Sequence, residues 1–457
     1  MFMKIINLIF FMLHRASKVP ARPACKAALI FSLLLLAAGG IFVPRALSQQ
    51  ASSSAPGRLA KIEFKGLERI KQEQAVAASG LKIGQAIDVD ILDAASQSLI
   101  DSGLFKKLSS RYHVDKGQVT VTFTVEEARA GVPVVFDNFI WFTEEELLAA
   151  IRRDVPAFDG TAPESGNLTD QIARSLERLL KERNIQGQVE YRPSADPSGQ
   201  NAKQVFSVTG VPLPLCSISF PGAGGIPEGE LVKSSKPLMT NDYSQEFVTE
   251  FAKNNLLQLY QEKGHLRAKF LNPTVKPASS KDCKDGVDVT LPVAEGLVYN
   301  WSTVAWEGNS MLNASELEAA LGMKPGEVAN GVKFAEGLKA VREAYGRRGF
   351  VAMRAKPEPN FDEAGRRVSY RIAITEGPQF RMGSFTINGL SEAETERLKS
   401  KWKLLPGEVY DASQLKSFLA RATPEIRSIL SSGQRGINTQ EKPDRQKLTV
   451  DVIVTFK

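Results

Sequence analysis

The stretch FTINGLSEAETERLKSKWKLLPGE, residues 385–408, contains the pattern that decides the fold. Apolar residues alternate with polar ones at Phe385 and Ile387, which is typical of a strand, and Gly389 then marks a turn. A second glycine, Gly407, follows 18 residues after the first. This pair of glycines, preceded by a strand, is the unit of a repeat.

The same spacing occurs twice more in the chain. Residues 62–85 read IEFKGLERIKQEQAVAASGLKIGQ, and residues 304–327 read VAWEGNSMLNASELEAALGMKPGE. Two weaker copies are centred on Asn138 and Gly222, and we expect Asn138 to adopt the positive φ that glycine adopts elsewhere. Five units of roughly 80 residues then account for nearly all of the chain after residue 48.

Helices and a β-hairpin are predicted to complete each unit. Apolar residues at helical spacing, such as Phe334, Leu338 and Val341, indicate a helix with one face towards a core. The last strand of a unit alternates cleanly, as in residues 368–374, and residues 287–293 predict another such strand. The order βααββ in each unit predicts an α+β fold.

Composition and charge exclude several classes of protein. The chain has 457 residues, of which 43% are apolar and 24% charged, as expected of a globular protein with several domains. The net charge is +7, but residues 1–48 hold six bases and no acids, so the rest has 58 − 6 = 52 bases against 51 acids. A basic nucleic-acid surface is therefore not expected in the folded part.

The N-terminal segment has the features of an export signal. A basic stretch, Lys18–Lys26, precedes an apolar run, Ala27–Val43, and small residues flank Leu47. This predicts a signal peptide over residues 1–48, followed by a flexible tether over residues 49–58. The apolar run also approaches the ~20 residues that span a bilayer, so a retained signal anchor is the alternative.

A strand, two helices and a hairpin, repeated five times behind an export signal, resemble the POTRA repeats of the BamA-like outer-membrane protein assembly factors. The residues that carry the resemblance are Gly389-Leu390, the turn Pro406-Gly407-Glu408 and the helix end Ser102-Gly103-Leu104-Phe105. It implies tandem repeats in an articulated rod, each with a three-stranded mixed sheet and two helices on one face. The predicted repeats span residues 59–130, 131–212, 213–296, 297–377 and 378–457.

Two repeats and the C-terminus depart from the family pattern. Pro156 and Thr240 stand where the second and third repeats should have their second glycine. The family usually continues into a membrane β-barrel, whereas this sequence stops at Lys457 on the last strand of the fifth repeat. We therefore expect the periplasmic half of the family's task, without the barrel.

The resemblance implies a scaffold or chaperone-like factor in outer-membrane protein assembly. Its partners would be unfolded or extended outer-membrane protein segments and assembly proteins in the periplasm, with the outer or inner membrane nearby. The alternative is a signal-anchored inner-membrane protein that holds partners in a cell-division or envelope-spanning complex.

In the family, the first strand of each hairpin lies at a sheet edge, where it can accept an extended segment of another protein. Two such strands are predicted here, Leu266–Leu271 and Phe350–Ala355. The predicted contact residues are Leu266, Arg267, Ala268, Phe270, Phe350, Ala352 and Arg354. Bases and nearby prolines in these segments also fit protection of the edge against aggregation, and both interpretations stay open.

Export would place Cys216 and Cys283 in a compartment where disulfides persist. We predict a disulfide between them, and two unpaired buried thiols are the alternative. If the first and last strands of a repeat pair in parallel, as the family's sheet implies, the two cysteines come close together.

Catalytic signals are weak throughout. The folded part has two histidines, His113 and His265, in different repeats, and the Ser-x-x-Lys matches at Ser400 and Ser413 are too loose to carry a function. The acidic run Glu144–Glu146 follows Thr143 and fits the first turn of a helix. We expect no enzyme activity, no cofactor and no metal site.

Overall fold

The structure is a computed structural model that describes residues 57–195, 199–278, 283, 285–431, 433 and 436–457. The predicted signal and most of the tether lie outside these residues. The described chain forms five successive groups of strands and helices, which we call modules 1 to 5. The predicted α+β class is confirmed.

Modules 1 and 2 each contain four strands and two helices. Module 1 consists of β1 (Gly57–Lys65), α1 (Gln72–Ser79), β2 (Ala86–Ile87), α2 (Val89–Asp101), β3 (Phe105–Asp115) and β4 (Gln118–Glu127). Module 2 consists of β5 (Val132–Phe136), α3 (Glu144–Asp154), β6 (Thr161–Ala162), α4 (Leu168–Glu182), β7 (Gln188–Ser194) and β8 (Lys203–Thr209).

Module 3 is the least regular. Its strands are β9 (Leu215–Ser219), β10 (Lys269–Phe270), β11 (Thr274–Pro277), β12 (Val287–Thr290) and β13 (Val293–Ala294). Its helical segments are α5 (Glu228–Ser234), a 3₁₀ turn (Lys236–Thr240), α6 (Gln245–Phe251), a π turn (Ala252–Leu256) and α7 (Leu257–Glu262). The predicted continuous last strand over residues 287–293 is wrong, because Pro292 interrupts it and separates β12 from β13.

Modules 4 and 5 have three strands each. Module 4 consists of β14 (Asn300–Glu307), α8 (Ala314–Leu321), α9 (Gly331–Gly346), β15 (Arg354–Asp362) and β16 (Arg367–Thr375). Module 5 consists of β17 (Arg381–Asn388), α10 (Glu392–Lys399), α11 (Gln414–Arg421), α12 (Thr423–Ser431), β18 (Ile437–Asp444) and β19 (Thr449–Phe456). Pro424 lies where α11 ends and α12 begins, since proline cannot continue the helical hydrogen bonds.

The first strand of every module pairs in parallel with a strand of the closing hairpin. The strand orders are β14-β16-β15 in module 4 and β17-β19-β18 in module 5, so the central strand comes last in sequence. Modules 1 and 2 add a two-residue strand beside the first one, giving β2-β1-β4-β3 and β6-β5-β8-β7. The mixed sheet implied by the resemblance is thus confirmed.

Module 2 achieves the strand ending differently from the others. The positive φ predicted for Asn138 is wrong, since its φ is not among the positive ones. Its side-chain amide instead donates to the carbonyl of Val208 at 2.9 Å and accepts from the N–H of Val208 at 2.7 Å. The second turn of this module comes at Gly160, whose φ is 104°, rather than at Pro156.

Each module packs its own hydrophobic core between its sheet and its helices. In module 1, for example, Phe123 and Val121 of the central strand pack with Leu99 of α2, and all three are fully buried. A few residues in the loops after the second helix bridge neighbouring cores. Leu104 contacts the cores of modules 1 and 2, and Leu266 contacts the core of module 4.

Candidate functional site

The first strand of each hairpin lies at an outer edge of its sheet, with a partner strand on one side. These edge strands are β3, β7, β11, β15 and β18. An edge strand directs alternate N–H and C=O groups away from its partner, which makes it a template for pairing with another chain. The five edges differ in whether those groups are present.

Four of the five edge strands contain proline. The prolines are Pro193 in β7, Pro277 in β11, Pro357 and Pro359 in β15, and Pro443 in β18. By contrast, β3 has the sequence FKKLSSRYHVD and contains none. It is also the longest of the five, at 11 residues.

Backbone hydrogen bonds show that the nitrogens of two of these prolines, Pro443 and Pro277, face the free edge. Gly436 and Lys457 exchange both backbone bonds, at 3.1 and 3.0 Å. Because the pattern alternates along an antiparallel pair, the nitrogen of Pro443 is directed away from β19. The bond from the Ala278 N–H to the Gly286 carbonyl (2.8 Å) places Pro277 in the same outward orientation. Proline at such a position removes a donor from the free edge without breaking the ladder.

Module 1 keeps the donors that the other modules lack. The edge residue opposite the same position of the central strand is Ser110 in module 1 and Pro357 in module 4. Two residues further along each strand, module 1 has Tyr112 where module 4 has Pro359. Two residues beyond that, module 1 has Val114 where module 5 has Pro443. The outward groups of β3 are therefore complete.

The helix-side face of β3 forms an exposed apolar ledge. Tyr112 and Val114 lie opposite buried valines of β4, yet both residues are 49% exposed. Ile100 on the neighbouring helix α2 is 39% exposed, and Leu108 is half-buried at the other end of the row. We call Ile100, Leu108, Tyr112 and Val114 the ledge. Leu108, Tyr112 and Val114 belong to the edge strand itself, and Ile100 belongs to α2, which packs against β3.

The opposite face of β3 is basic. Lys107 pairs with Glu126 at 2.7 Å, and the hydrogen bonds from Lys107 and then Lys106 lower the pKa of Glu126 below its usual value. Arg111 and His113 are exposed and stand opposite uncharged threonines of β4. An incoming strand would therefore meet positive charge on this face.

The edge strand of module 2 also has side-chain contacts with module 3. Glu246, at the start of α6 in module 3, pairs with Arg192 and accepts a bond from the Ser194 hydroxyl at 2.8 Å. Lys203 lies 3.1 Å from the same carboxylate. Burial alone would raise the pKa of Glu246, but the bonds from Ser194 and Lys203 outweigh it and hold the pKa low. The charged carboxylate of Glu246 thus links α6 to the end of β7 through an ion pair and a hydrogen bond.

The predicted edge strand Leu266–Leu271 is wrong in its bounds. The chain makes a turn after α7, with the Ala268 N–H bonded to the His265 carbonyl, and β10 begins at Lys269. Leu266 packs on module 4, and Ala268 is buried. Arg267 bonds Glu363 of module 4 at 2.5 Å. Among the four residues predicted here, Phe270 lies in a strand, where it packs edge-on against Phe220 and Tyr260.

The second predicted edge strand, Phe350–Ala355, is also displaced. Phe350 is buried against Tyr345, and Ala352 packs on the core of module 5. The strand begins at Arg354, which is exposed and lies opposite Thr375. Five of the seven predicted contact residues lie outside the strands: Leu266, Arg267, Ala268, Phe350 and Ala352. That any of the seven binds a partner stays a prediction.

Cys216 lies in β9, and Cys283 comes shortly before β12 in the same module. The structure joins them as a disulfide with their Cα atoms 5.9 Å apart. The parallel pairing of β9 with β12 brings the two cysteines together.

The residues considered for chemistry have local structural roles. The Ser400 hydroxyl donates to the Arg397 carbonyl, and the Ser413 hydroxyl donates to Asp411. His265 is buried, with Nδ1 3.3 Å from the Gly296 carbonyl. Thr143 and Glu146 form a capping box at the start of α3, as the acidic run predicted.

In the described part of the chain, no group of three or more His, Cys, Asp and Glu residues could hold a metal ion. Within the same ranges, every helix is too short or too polar to cross a membrane.

Comparison with known proteins identifies the repeat. Residues 57–128 and 299–377, which correspond to modules 1 and 4, match the POTRA family model, described as surface antigen variable number repeat. The predicted resemblance to POTRA repeats is therefore confirmed.

Two curated relatives align with larger parts of the chain. A protein of Treponema pallidum (strain Nichols), named as an outer membrane protein assembly factor, is 22% identical over 376 residues, covering 79% of this chain and 44% of the relative. The outer membrane protein assembly factor BamA of Neisseria meningitidis serogroup B is 24% identical over 201 residues, covering 40% of this chain and 24% of the relative. The chain thus spans less than half of the length of either relative.

The chain is also similar to a solved structure. The crystal structure of Haemophilus influenzae BamA POTRA3–5 is 18% identical and covers 54% of this chain and 96% of that one, with a TM-score of 0.43.

Proposed function

We propose that this chain acts in outer-membrane protein assembly by binding extended polypeptide segments through strand addition to β3. The observation that carries the proposal is the complete outward row of Ser110, Tyr112 and Val114, at positions where other edges have proline. An added strand gains main-chain hydrogen bonds from that row, which is how exposed edges bind peptides in general. The POTRA match and the assembly factors among the relatives support the cellular role.

The distribution of prolines supports one binding edge rather than five. A chain with five open edges would aggregate through them, and proline and covering elements are the usual protection. The modules that lack an open edge would then serve as a scaffold. We further propose that the repeats have the predicted limits, except that the first begins with β1 at Gly57 rather than at residue 59. We also propose that they reside in the periplasm and that assembly proteins are additional partners.

The test removes one outward donor of β3. Ser110→Pro should leave the ladder with β4 intact, because the N–H of residue 110 faces the free edge. The matched control is Thr439→Pro in β18, which occupies the same register position in an edge that already contains Pro443. Binding is measured by fluorescence anisotropy of a labelled nine-residue peptide, SVEFEVSVT, added to the whole chain.

We expect Ser110→Pro to weaken binding of the peptide by about tenfold or more. The reason is that the variant loses one main-chain hydrogen bond to the peptide and weakens the bonds next to it. Thr439→Pro should bind as the unchanged chain does, and circular dichroism should show that both variants fold. Undiminished binding by folded Ser110→Pro would refute strand addition at β3. In cells, a photo-crosslinker at residue 109 should trap outer-membrane proteins, whereas one at residue 438, in the same register position of β18, should not.

A further inference from the structure

We infer that β3 selects extended segments that alternate apolar residues with acidic ones, with the apolar side chains turned towards α2. This inference rests on the proposed strand addition and specifies the segment that the edge accepts. Two rows of side chains on β3 carry it. One is the ledge, and the other is the basic row of Lys107, Arg111 and His113.

The backbone fixes the register of the added strand relative to these rows. The outward groups belong to Leu108, Ser110, Tyr112 and Val114, which are the residues whose side chains lie on the helix side. Residues directly opposite one another in neighbouring strands share a face of the sheet. When the segment adds antiparallel to β3, every residue that bonds to β3 therefore places its side chain beside the ledge or on its continuation.

The ledge favours apolar side chains at those places. Tyr112 and Val114 are each half exposed in the described structure, and the side chain of Ile100 lies on the adjacent helix. An apolar residue of the incoming strand would remove this surface from water. A slip of one residue would turn polar side chains onto the ledge instead, so one face of the segment is selected.

The basic row favours acidic side chains on the other face. Arg111 stands opposite Thr122, and His113 stands opposite Thr120, so neither faces a carboxylate across the strand pair. A glutamate in the incoming strand beside Arg111 would form a cross-strand pair, and a lysine would be repelled. Lys107 already pairs with Glu126, so Arg111 should be the main determinant.

The equivalent row in module 5 lacks this character. The residue of β18 in the register position of Tyr112 is Glu441, whose carboxylate accepts a hydrogen bond from the Tyr410 hydroxyl. An apolar segment would meet a carboxylate there.

The experiment compares three labelled peptides of equal length on the whole chain at low salt. The first is SVEFEVSVT, the second replaces both glutamates with lysine, and the third has the composition of the first with its apolar residues in one block. We expect the first to bind at least fivefold more tightly than the second and about tenfold more tightly than the third. Arg111→Glu should reverse the preference between the first two peptides.

The ledge is tested separately with Tyr112→Ser combined with Val114→Ser. Because this variant lacks two apolar side chains of the ledge, it should bind the first peptide no more tightly than the third. Circular dichroism should show that the variant folds. Equal binding of all three peptides, abolished for each by Ser110→Pro, would overturn the selection but leave strand addition standing. Failure of all three peptides to bind would instead overturn the proposed function itself.

Discussion

The carbonyl oxygen of Ile374 lies 2.3 Å from the point where a Cβ atom on Gly308 would stand. Gly308 ends the first strand of module 4 with φ of 78°, and Ile374 belongs to the central strand beside it. Three other modules repeat the contact at 2.2–2.3 Å, at Gly66, Gly222 and Gly389. The anchor glycine is therefore required both by its φ and by the lack of space.

Replacing Gly308 with alanine should destabilise module 4 by about 3 kcal/mol, because strain from the positive φ adds to a clash with the backbone. The free energy of opening can be measured by hydrogen exchange in peptides from residues 299–377. Gly326→Ala is the matched control, since its φ is 85° but nothing lies within 4 Å of the added Cβ. It should cost only about 1 kcal/mol. Equal effects of the two substitutions would show that the clash is relieved by a small backbone shift.

Glu376 should make the stability of module 4 depend on pH. Its carboxylate accepts the N–H groups of Ser310 and Met311 at 2.7 and 2.8 Å and the Tyr345 hydroxyl at 2.9 Å. Burial alone would raise the pKa of Glu376, but these bonds outweigh it and lower the pKa below that of an ordinary glutamate. The stabilisation is then present above the ordinary glutamate pKa of ~4.3 and is lost as the pH falls through the lowered pKa.

Glu376→Gln should therefore reduce the free energy of opening of module 4 by about 1–3 kcal/mol at pH 7. Because the variant lacks this carboxylate, its free energy of opening should fall less than that of the unchanged chain between pH 5 and pH 3. This interval includes the ordinary glutamate pKa of ~4.3. Glu358→Gln, which removes an exposed carboxylate paired with Arg371, serves as the control. If the free energy of opening of module 4 still falls steeply with pH in Glu376→Gln, the pH dependence comes from other carboxylates.

The disulfide should stabilise module 3 and leave the others nearly unchanged. Cys216 and Cys283 are separated by 67 residues, and closing a loop of that length is worth about 4 kcal/mol in the chain-entropy model. Cys216→Ser combined with Cys283→Ser should lower the urea midpoint of hydrogen exchange in peptides from module 3. Peptides from modules 1 and 4 in the same sample provide the control. An unchanged midpoint in module 3 would contradict the prediction.

The fold could be predicted from the sequence where local chemistry alone requires a residue type. The spacing from Gly308 to Gly326 recurs because both positions need positive φ, and glycine is the residue that tolerates it. Module 2 was harder to predict, because Asn138 satisfies the backbone of Val208 with its side chain and needs no positive φ. The break at Pro292 could have been predicted from proline's missing N–H.

The candidate site could not be located from alternation alone. Arg267 and Ala352 lie in segments with the composition of edge strands, but their surroundings are set by the next module, which no local pattern reveals. The informative feature is the distribution of prolines among the five edge strands, which becomes clear when the strands are compared with one another. Aligning the edge strands by the register of their central strands pairs Ser110 and Tyr112 with prolines, and it identifies β3 as the open edge.

If proline is what closes the edge of module 4, removing it should create a second binding site. Pro357→Ser combined with Pro359→Tyr gives β15 the residues that β3 has at the same register positions. The new N–H groups should face the free edge, since both prolines occupy the outward positions of the ladder. The stability of the ladder with β16 should change little.

This variant, made in the Ser110→Pro background, should recover binding of the peptide SVEFEVSVT in the anisotropy assay, to within about tenfold of the unchanged chain. The control in the same background is Lys356→Ser combined with Glu358→Tyr, because residues 356 and 358 direct their N–H groups towards β16 and both prolines remain. It should not bind. Restored binding in the control, or no binding by the folded proline variant, would mean that side chains or neighbouring modules, rather than missing donors, close this edge.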